Sequence, residues 1–450
     1  MFLREELLYF TWIINYHTAG KEEGLKMPSY VRYLKCSRCG HTYYLDEKPV
    51  ICKNNDLGRL DIYYDYEKVR ESMTKDKLAK RPFYQWRYRE LMPVTNEKNI
   101  VTLGEGGTPL IKAKRLAEKL GVKNLFLKDE TRNPTGSFKD RGMSVSVSMA
   151  LEFGYKVTVT ASSGNAAAAL AAYSAKAGLE TYAFVIEEAG YGKVAQLLFY
   201  GAKVFRVKGL GQEDPTVKMM KMTYEKYGWY PSPSFGPFNP YQIEGPKAIS
   251  YEIIEQLRWD IPDWVFVPVG AAALLTSVWK GFRDFRELGF INDLPHLVAI
   301  QSTGNAPFVK AWKEKAEPFK IKPWPKPETI ATGLEDPYPW DHDGGLKALE
   351  ETRGLAEAVS DDLILEAMRL LAKYEGIFAE PSGVASLAGY MRLLKNGIID
   401  KEDTVVILIT GHGLKDPEIV RKVSGDAPKI EPKLEDFEKT LNNYYGVSLN

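Results

Sequence analysis

Residues Asn133–Gly142 read NPTGSFKDRG, and the fold turns on them. An apolar run, VKNLFLK, comes shortly before, and a run of small and apolar residues, MSVSVSMALEFG, follows. The first is strand-like and the second helical, so the stretch is a strand-to-helix junction. Pro134 and Gly136 shape a turn, and Thr135 or Ser137 can cap the helix that begins near Lys139. A lysine there faces the positive end of the helix dipole. That place disfavours an ammonium, but it suits an amine that must lose its proton and attack a carbonyl. Taken alone, such a lysine reads as a solvent-exposed side chain. The junctions further along change that reading.

From residue 100 the chain alternates strand and helix signals. YKVTVTA, TYAFVI, KVFRV, WVFVPV, HLVAIQ and TVVILIT read as strands. AAAALAAYSAKAG, YGKVAQLLFYG, ALLTSVWKGFRDFRELG, DLILEAMRLLAKYEG and VASLAGYMRLLKNG read as helices. Strands with helices of this length between them predict βαβ units and parallel sheets, an α/β fold. Ligands in such folds sit where strand C-termini meet helix N-termini. After YKVTVTA come Ser162-Ser163-Gly164-Asn165, an anion cradle of hydroxyls, glycine and amide. After WVFVPV come Gly270-Ala271-Ala272-Ala273, whose small side chains let backbone N–H groups approach a phosphate. After TVVILIT comes Thr410-Gly411-His412-Gly413, with a hydroxyl topping the strand. Four such junctions, one carrying a lysine, point to a phosphate-bearing aldehyde cofactor.

NPTGSFKDRG, SSGNAAAALAAYSAKAG, GEGGTPL at Gly104–Leu110, NPYQIEGPK at Asn239–Lys247 and TGHGLKDP at Thr410–Pro417 closely resemble the threonine synthase family. The resemblance runs from about residue 30 to 420. It implies a pyridoxal-phosphate enzyme of fold type II: two three-layer α/β/α lobes with parallel-rich sheets. It also implies roles. Lys139 would bond to the cofactor's aldehyde and move protons, and Phe138 could lie against the ring. Asn165 would meet the ring's phenolic oxygen, and Thr410 its nitrogen. Gly270, Ala271, Ala272 and Ala273 would cradle the cofactor phosphate. Ser162, Ser163, Gly164 and Asn239 would hold the substrate, a small and phosphorylated amino acid. The expected reaction turns O-phospho-L-homoserine and water into L-threonine and phosphate. A homodimer is also implied, with the charged, aromatic segment 56–95 as an arm available for contact. The chain departs from the family in three places. Ala166 stands where threonine is usual, Gln242 where an arginine helps hold the substrate phosphate, and Gly-Ala-Ala-Ala-Leu where Gly-Asn-Ala-Gly-Asn is usual. Lys193, Lys247 and Arg141 are the candidate replacement cations. The alternatives are a threonine/serine deaminase, a racemase or a phosphoserine-using β-replacement enzyme. The histidine that often follows SSGN in deaminases is absent.

The expected division is an extension at 1–26, a ribbon-like segment and arm at 27–99, and a large lobe from 100–145 with 246–424. A smaller, mobile lobe spans 146–245, and a tail 425–450. The 450 residues are 44% hydrophobic and 26% charged with net charge +1, so no global field favours nucleic acid or an anionic membrane. The apolar patch YFTWIINY is broken by Asn15 and lacks a signal-peptide cleavage site, and no apolar run is long enough to span a bilayer. The expected location is the cytoplasm. The three cysteines, Cys36, Cys39 and Cys52, exclude a simple disulfide framework. Their spacing is part of a zinc ribbon, but position 55, where a fourth ligand belongs, is Asn55, with His41 and Asp56 as out-of-place substitutes. The sequence therefore reads as a degenerate, zinc-ribbon-like segment that keeps its fold by packing. His412 reads as shaping its loop, Glu380 as a helix cap, and the Pro- and aromatic-rich segment 317–345 as a long ordered loop.

Overall fold

The computed structural model describes residues 28–448 apart from 163, 188 and 210–213, and only the backbone of Lys193. The expected extension at 1–26 and the candidate Ser163 lie outside the described residues. Strands β1 (Val31–Cys36), β2 (Thr42–Tyr43) and β3 (Leu60–Tyr64) form an antiparallel sheet in the order β2-β1-β3. This is the ribbon. Strands β4 (Leu110–Lys112) and β5 (Asn124–Asp129) belong to the largest sheet. Strands β6 (Val157–Ala161), β7 (Glu180–Ile186), β8 (Lys203–Val207) and β9 (Tyr230–Pro231) form a parallel sheet, β8-β7-β6-β9. Strands β10 (Trp264–Pro268), β11 (His296–Ser302), β12 (Leu355–Val359) and β13 (Thr404–Ile409) complete the large sheet, β12-β11-β10-β13-β5-β4. Only β4 runs antiparallel in it.

The central strands β10, β11 and β13 are buried on both faces beyond their first residues. That is why they read as unbroken apolar runs and not as alternating ones. Helices cover both faces, as the α/β reading requires. Three strands of the two larger sheets escaped the sequence reading, β4, β9 and β12. LAEAV (β12) carries a single β-branched residue, and Tyr230–Pro231 is too short for any period to register. The helices Pro215–Tyr227 and Lys247–Gln256 were missed as well.

The arm at 56–95 is spent within the chain. Its 3-10 turn Gln85–Leu91 buries Trp86, Tyr88 and Leu91. Trp86 Nε1 donates to Glu105 Oε1 (2.9 Å), and Tyr66 donates to Asp284 Oδ1 (2.5 Å). These aromatics are therefore not held out for a second copy. Among the described residues no helix is long and apolar enough to cross a membrane.

Candidate active site

The neighbouring strands β5, β13 and β10 deliver their C-terminal ends to one place. There the Asn133–Gly142 turn is stitched to the loop after β13. Phe138 N donates to Thr410 O (3.0 Å), His412 N donates to Gly136 O (2.9 Å), and Ser137 bridges Gly411. Lys139, the first residue of helix Lys139–Phe153, is thereby fixed beside Thr410. Neither Thr135 nor Ser137 caps that helix. Thr135 instead donates from N (2.9 Å) and Oγ1 (3.0 Å) to the buried carboxyl of Asp140, closing the turn on itself. Burial pushes the Asp140 pKa up to about 7.

Lys139 faces a cavity of about 260 Å³ between the two large sheets. Ser162, Gly164, Asn165, Gly270, Ala271, Ala272, Ala273 and Thr410 line it, with Phe138 at its wall. Four sequence-distant stretches thus meet as the junctions predicted. The Lys139 amine lies 4.7 Å from the Phe138 ring centroid and has no ion-pair partner within reach among the described residues. Burial lowers its pKa, against the pull of Asp336, Asp341 and Glu380. In the same lining, Ala272 takes a left-handed φ of 69° and starts helix Ala273–Glu287, whose first-turn N–H groups have no partner within the helix. A Cβ on Gly270 would come within 2.9 Å of Asp336 Oδ2. Glycine is the residue this close approach allows.

Several side chains differ from their sequence reading. Glu380 precedes helix Pro381–Lys395 but does not cap it with its side chain. Its carboxylate lies in the cavity wall and accepts from Asn165 Nδ2 (2.8 Å). Asn239 is absent from the lining. Its amide is committed to Ser146 Oγ (3.0 Å), Pro231 O (2.9 Å) and the Tyr241 N–H (3.1 Å), a structural role. Arg141 is fully buried between Glu130 and Glu252, with four contacts of 2.6–2.8 Å. Lys247 is held by Glu244 (2.7 Å) and Asp284 (2.8 Å). Neither cation is available to a ligand, and the Lys193 side chain lies outside the described residues. His412 accepts from Leu414 N (3.1 Å) and shapes its loop, as expected.

Asp336, Thr332, Ser382 and Lys415 line the cavity too, although the sequence reading gave none of them a role in it. Asp336, in the acidic loop after Thr332, accepts a hydrogen bond from the Ala271 backbone, and burial pushes its pKa up to about 6. Asn305 Nδ2 ties that loop down through Leu334 O (2.8 Å) and Asp336 O (2.9 Å). Lys415 donates to neutral acceptors, Thr135 O (3.1 Å) and Gln196 Oε1 (2.5 Å). Lys139 and Lys415 are the cationic side chains of the described lining. Gln242 is buried, and its Nε2 has no hydrogen-bond partner among the described residues. With Lys139 it borders a small cleft beside the cavity.

An unpaired amine of lowered pKa, facing an N–H-rich cradle across a closed-in cavity, fits a cofactor bearing both an aldehyde and a phosphate. Residues 101–411 match the family described as pyridoxal-phosphate dependent enzyme, and the chain belongs to that family. The relatives narrow the branch. The threonine synthase of Methanocaldococcus jannaschii is 43% identical over 408 residues, covering 90% of this chain and 98% of its own. That of Methanosarcina acetivorans is 41% identical over 410 residues, covering 91% and 98%. Among solved structures, the processed form of threonine deaminase isoform 2 from Solanum lycopersicum superposes with a TM-score of 0.59 at 22% identity. It covers 71% of this chain and 83% of that one, a likeness of fold. The cofactor is therefore pyridoxal phosphate. When bound, it supplies the carbonyl for covalent attachment and a ring that takes up the electron pair left as the substrate's α-proton departs.

Proposed function

We propose that this chain is a threonine synthase, a lyase that converts O-phospho-L-homoserine and water to L-threonine and phosphate. Likeness to threonine synthases over nearly the whole of both chains carries the reading. The cavity supports it residue by residue. Lys139 would hold the cofactor covalently. The same amine would remove the substrate's α-proton, and its lowered pKa keeps a larger share of it neutral for that work. The N–H groups from Gly270 to the start of helix Ala273–Glu287 receive the cofactor phosphate. Thr410 offers the ring nitrogen a hydroxyl. A hydroxyl does not hold that nitrogen protonated as a carboxylate would. Ser162, Gly164 and the N-terminus of helix Asn165–Ala177 receive the substrate carboxylate. Lys415 supplies the positive charge that Gln242 cannot, and meets the departing γ-phosphate.

Gln242 and Ala166 favour one second reading, β-elimination from an unphosphorylated hydroxy-amino acid. The deciding experiment incubates the purified, cofactor-loaded protein with O-phospho-L-homoserine and, separately, with threonine and serine. Equal yields of inorganic phosphate and L-threonine are expected. Keto acid from threonine or serine, without phosphate release, would overturn the first reading in favour of the second.

We further read the protein as a cytoplasmic homodimer. Three free cysteines suit a reducing compartment, and the family resemblance implies the dimer. Sedimentation velocity tests the latter. We infer as well that residues 146–245, which carry their own sheet, move as a unit over 100–145 with 246–424.

A further inference from the structure

The ribbon brings together four side chains that the reaction does not use. Cys36, Cys39, Cys52 and Asp56 place one ligand atom each within 4.8 Å of one another. Cys36 Sγ lies 3.5 Å from Asp56 Oδ1, and Cys39 Sγ lies 3.6 Å from Cys52 Sγ. Zinc–sulfur bonds of about 2.3 Å and a zinc–oxygen bond of about 2.0 Å, at tetrahedral angles, set ligand atoms roughly 3.5–3.8 Å apart. The two observed contacts therefore have the length of opposite edges of one tetrahedron. We propose that Cys36, Cys39, Cys52 and Asp56 form a closed structural zinc site.

The surroundings are built for it. Cys36 and Cys39 sit on a tight turn in which Gly40 N donates to Cys36 O (3.0 Å) and Cys39 N donates to Cys36 Sγ (3.5 Å). The second pair rides on a turn where Asn55 N donates to Cys52 O (2.8 Å), with Asn55 at φ 47°. That turn explains why spacing alone misplaced the fourth ligand. A cysteine would be due at position 55, but the left-handed residue there carries the chain past the site, and the carboxylate of the next residue reaches back. The ligands are oriented in turn. Gly58 N donates to Asp56 Oδ1 (2.9 Å), and Tyr43 donates to Cys52 Sγ (3.3 Å) while accepting from Lys53 N (2.9 Å). Such outer partners are what metal ligands need. A Cβ on Gly58 would lie 2.4 Å from Cys36 Sγ, so the backbone is packed directly onto that sulfur. His41, the other candidate from the sequence, is not in the cluster and packs edge-on to Tyr43. Three thiolates and a carboxylate suit zinc better than calcium or magnesium. Binding Zn²⁺ releases the three thiol protons to solvent.

The test uses the full, cofactor-loaded chain, purified with its thiols reduced. Metal analysis should find about one zinc per chain. Replacement by Co²⁺ should give thiolate-to-cobalt charge transfer in the near ultraviolet and tetrahedral bands in the visible. Removing an outer-shell partner costs metal affinity ~10–100-fold, so losing a ligand should cost at least that much. Cys39→Ser, at an exposed position, and Asp56→Ala should each show that loss in chelator competition, and His41→Ala should leave affinity unchanged. Wild-type protein that takes up neither Zn²⁺ nor Co²⁺ while reduced would overturn the proposal, whatever the variants do. So would Asp56→Ala binding Zn²⁺ as tightly as wild type, or a Cys39–Cys52 disulfide in the active protein.

Discussion

In the proposed function the chemistry rests on Lys139. Borohydride reduction of the loaded protein should fix the cofactor to the peptide that carries it, and Lys139→Ala should abolish both that adduct and turnover, read by peptide mass. Lys415 is the second cation of the cavity. Lys415→Gln should raise KM for a phosphorylated substrate roughly 10- to 100-fold, the worth of one hydrogen bond to a charged group, and leave the unfolding midpoint in place. Asp336 argues through pH. Shielding from water raises its pKa to about 6, and those of Asp341 and Asp140 to about 6 and about 7. A carboxyl raised in the folded state stabilises the fold while protonated, and that contribution is lost as pH climbs through the raised value. The cofactor-free chain should therefore lose stability from about pH 4, the ordinary carboxyl value, to about pH 7, and Asp336→Asn should flatten part of that slope in thermal melts. Lys139 was legible because its signal is local, a turn between a strand and a helix. Asp336 and Glu380 reach the cavity on loops roughly 200 to 240 residues further along the chain, and nothing in the spacing of their neighbours announces them, while Lys415 lies in a junction that was read without assigning its lysine a role. Asn239 was misread because a matching motif says which residue is present and not which way its side chain points.

At the scale of elements, helix Lys139–Phe153 does two jobs. Its first residue serves the cavity, and its third, Arg141, anchors the helix in the lobe. Arg141, Glu130, Glu252 and Lys128 form a network closed to water, with Lys128 Nζ 2.7 Å from Glu252 and the Glu252 carboxyl held at a pKa of about 2 by the two cations. Removing one partner of such a network leaves charge buried without compensation. Arg141→Ala should cost ~3–5 kcal/mol of stability, seen as a lower denaturant midpoint. The sequence reading counted Arg141, two residues from the lysine, among the cations that could replace the missing arginine. On a helix, that spacing turns a side chain to another face. The longer helices and the buried strands were readable because a 3.6-residue period or an unbroken apolar run survives in the sequence. LAEAV has neither signal, and the pairing of β12 with β11 decides it instead.

Across the whole molecule, parallel-rich sheets follow from the alternation of strand and helix signals, while their strand order and the attachment of the ribbon do not. Tyr64, Pro49 and Lys48 each contribute one tie to that attachment, to Glu244, Tyr241 and Phe153, and Arg59 makes the most heavily charged one. Its side chain is buried and paired with Asp61 (2.9 Å), Asp341 (3.2 Å) and Asp343 (3.1 Å). Asp341 in turn accepts from Gly236 N (3.0 Å), and its own N–H donates to Ala271 O (2.8 Å) in the cofactor cradle. The Arg59 guanidinium thus ties the N-terminal sheet to Asp341 and Asp343, more than 280 positions later, beside the wall of the cavity. Any chimaera that exchanges this N-terminal piece for a relative's must exchange its acidic counterparts at 341 and 343 as well. Otherwise it inherits an aspartate sealed under the cradle with no cation to answer it.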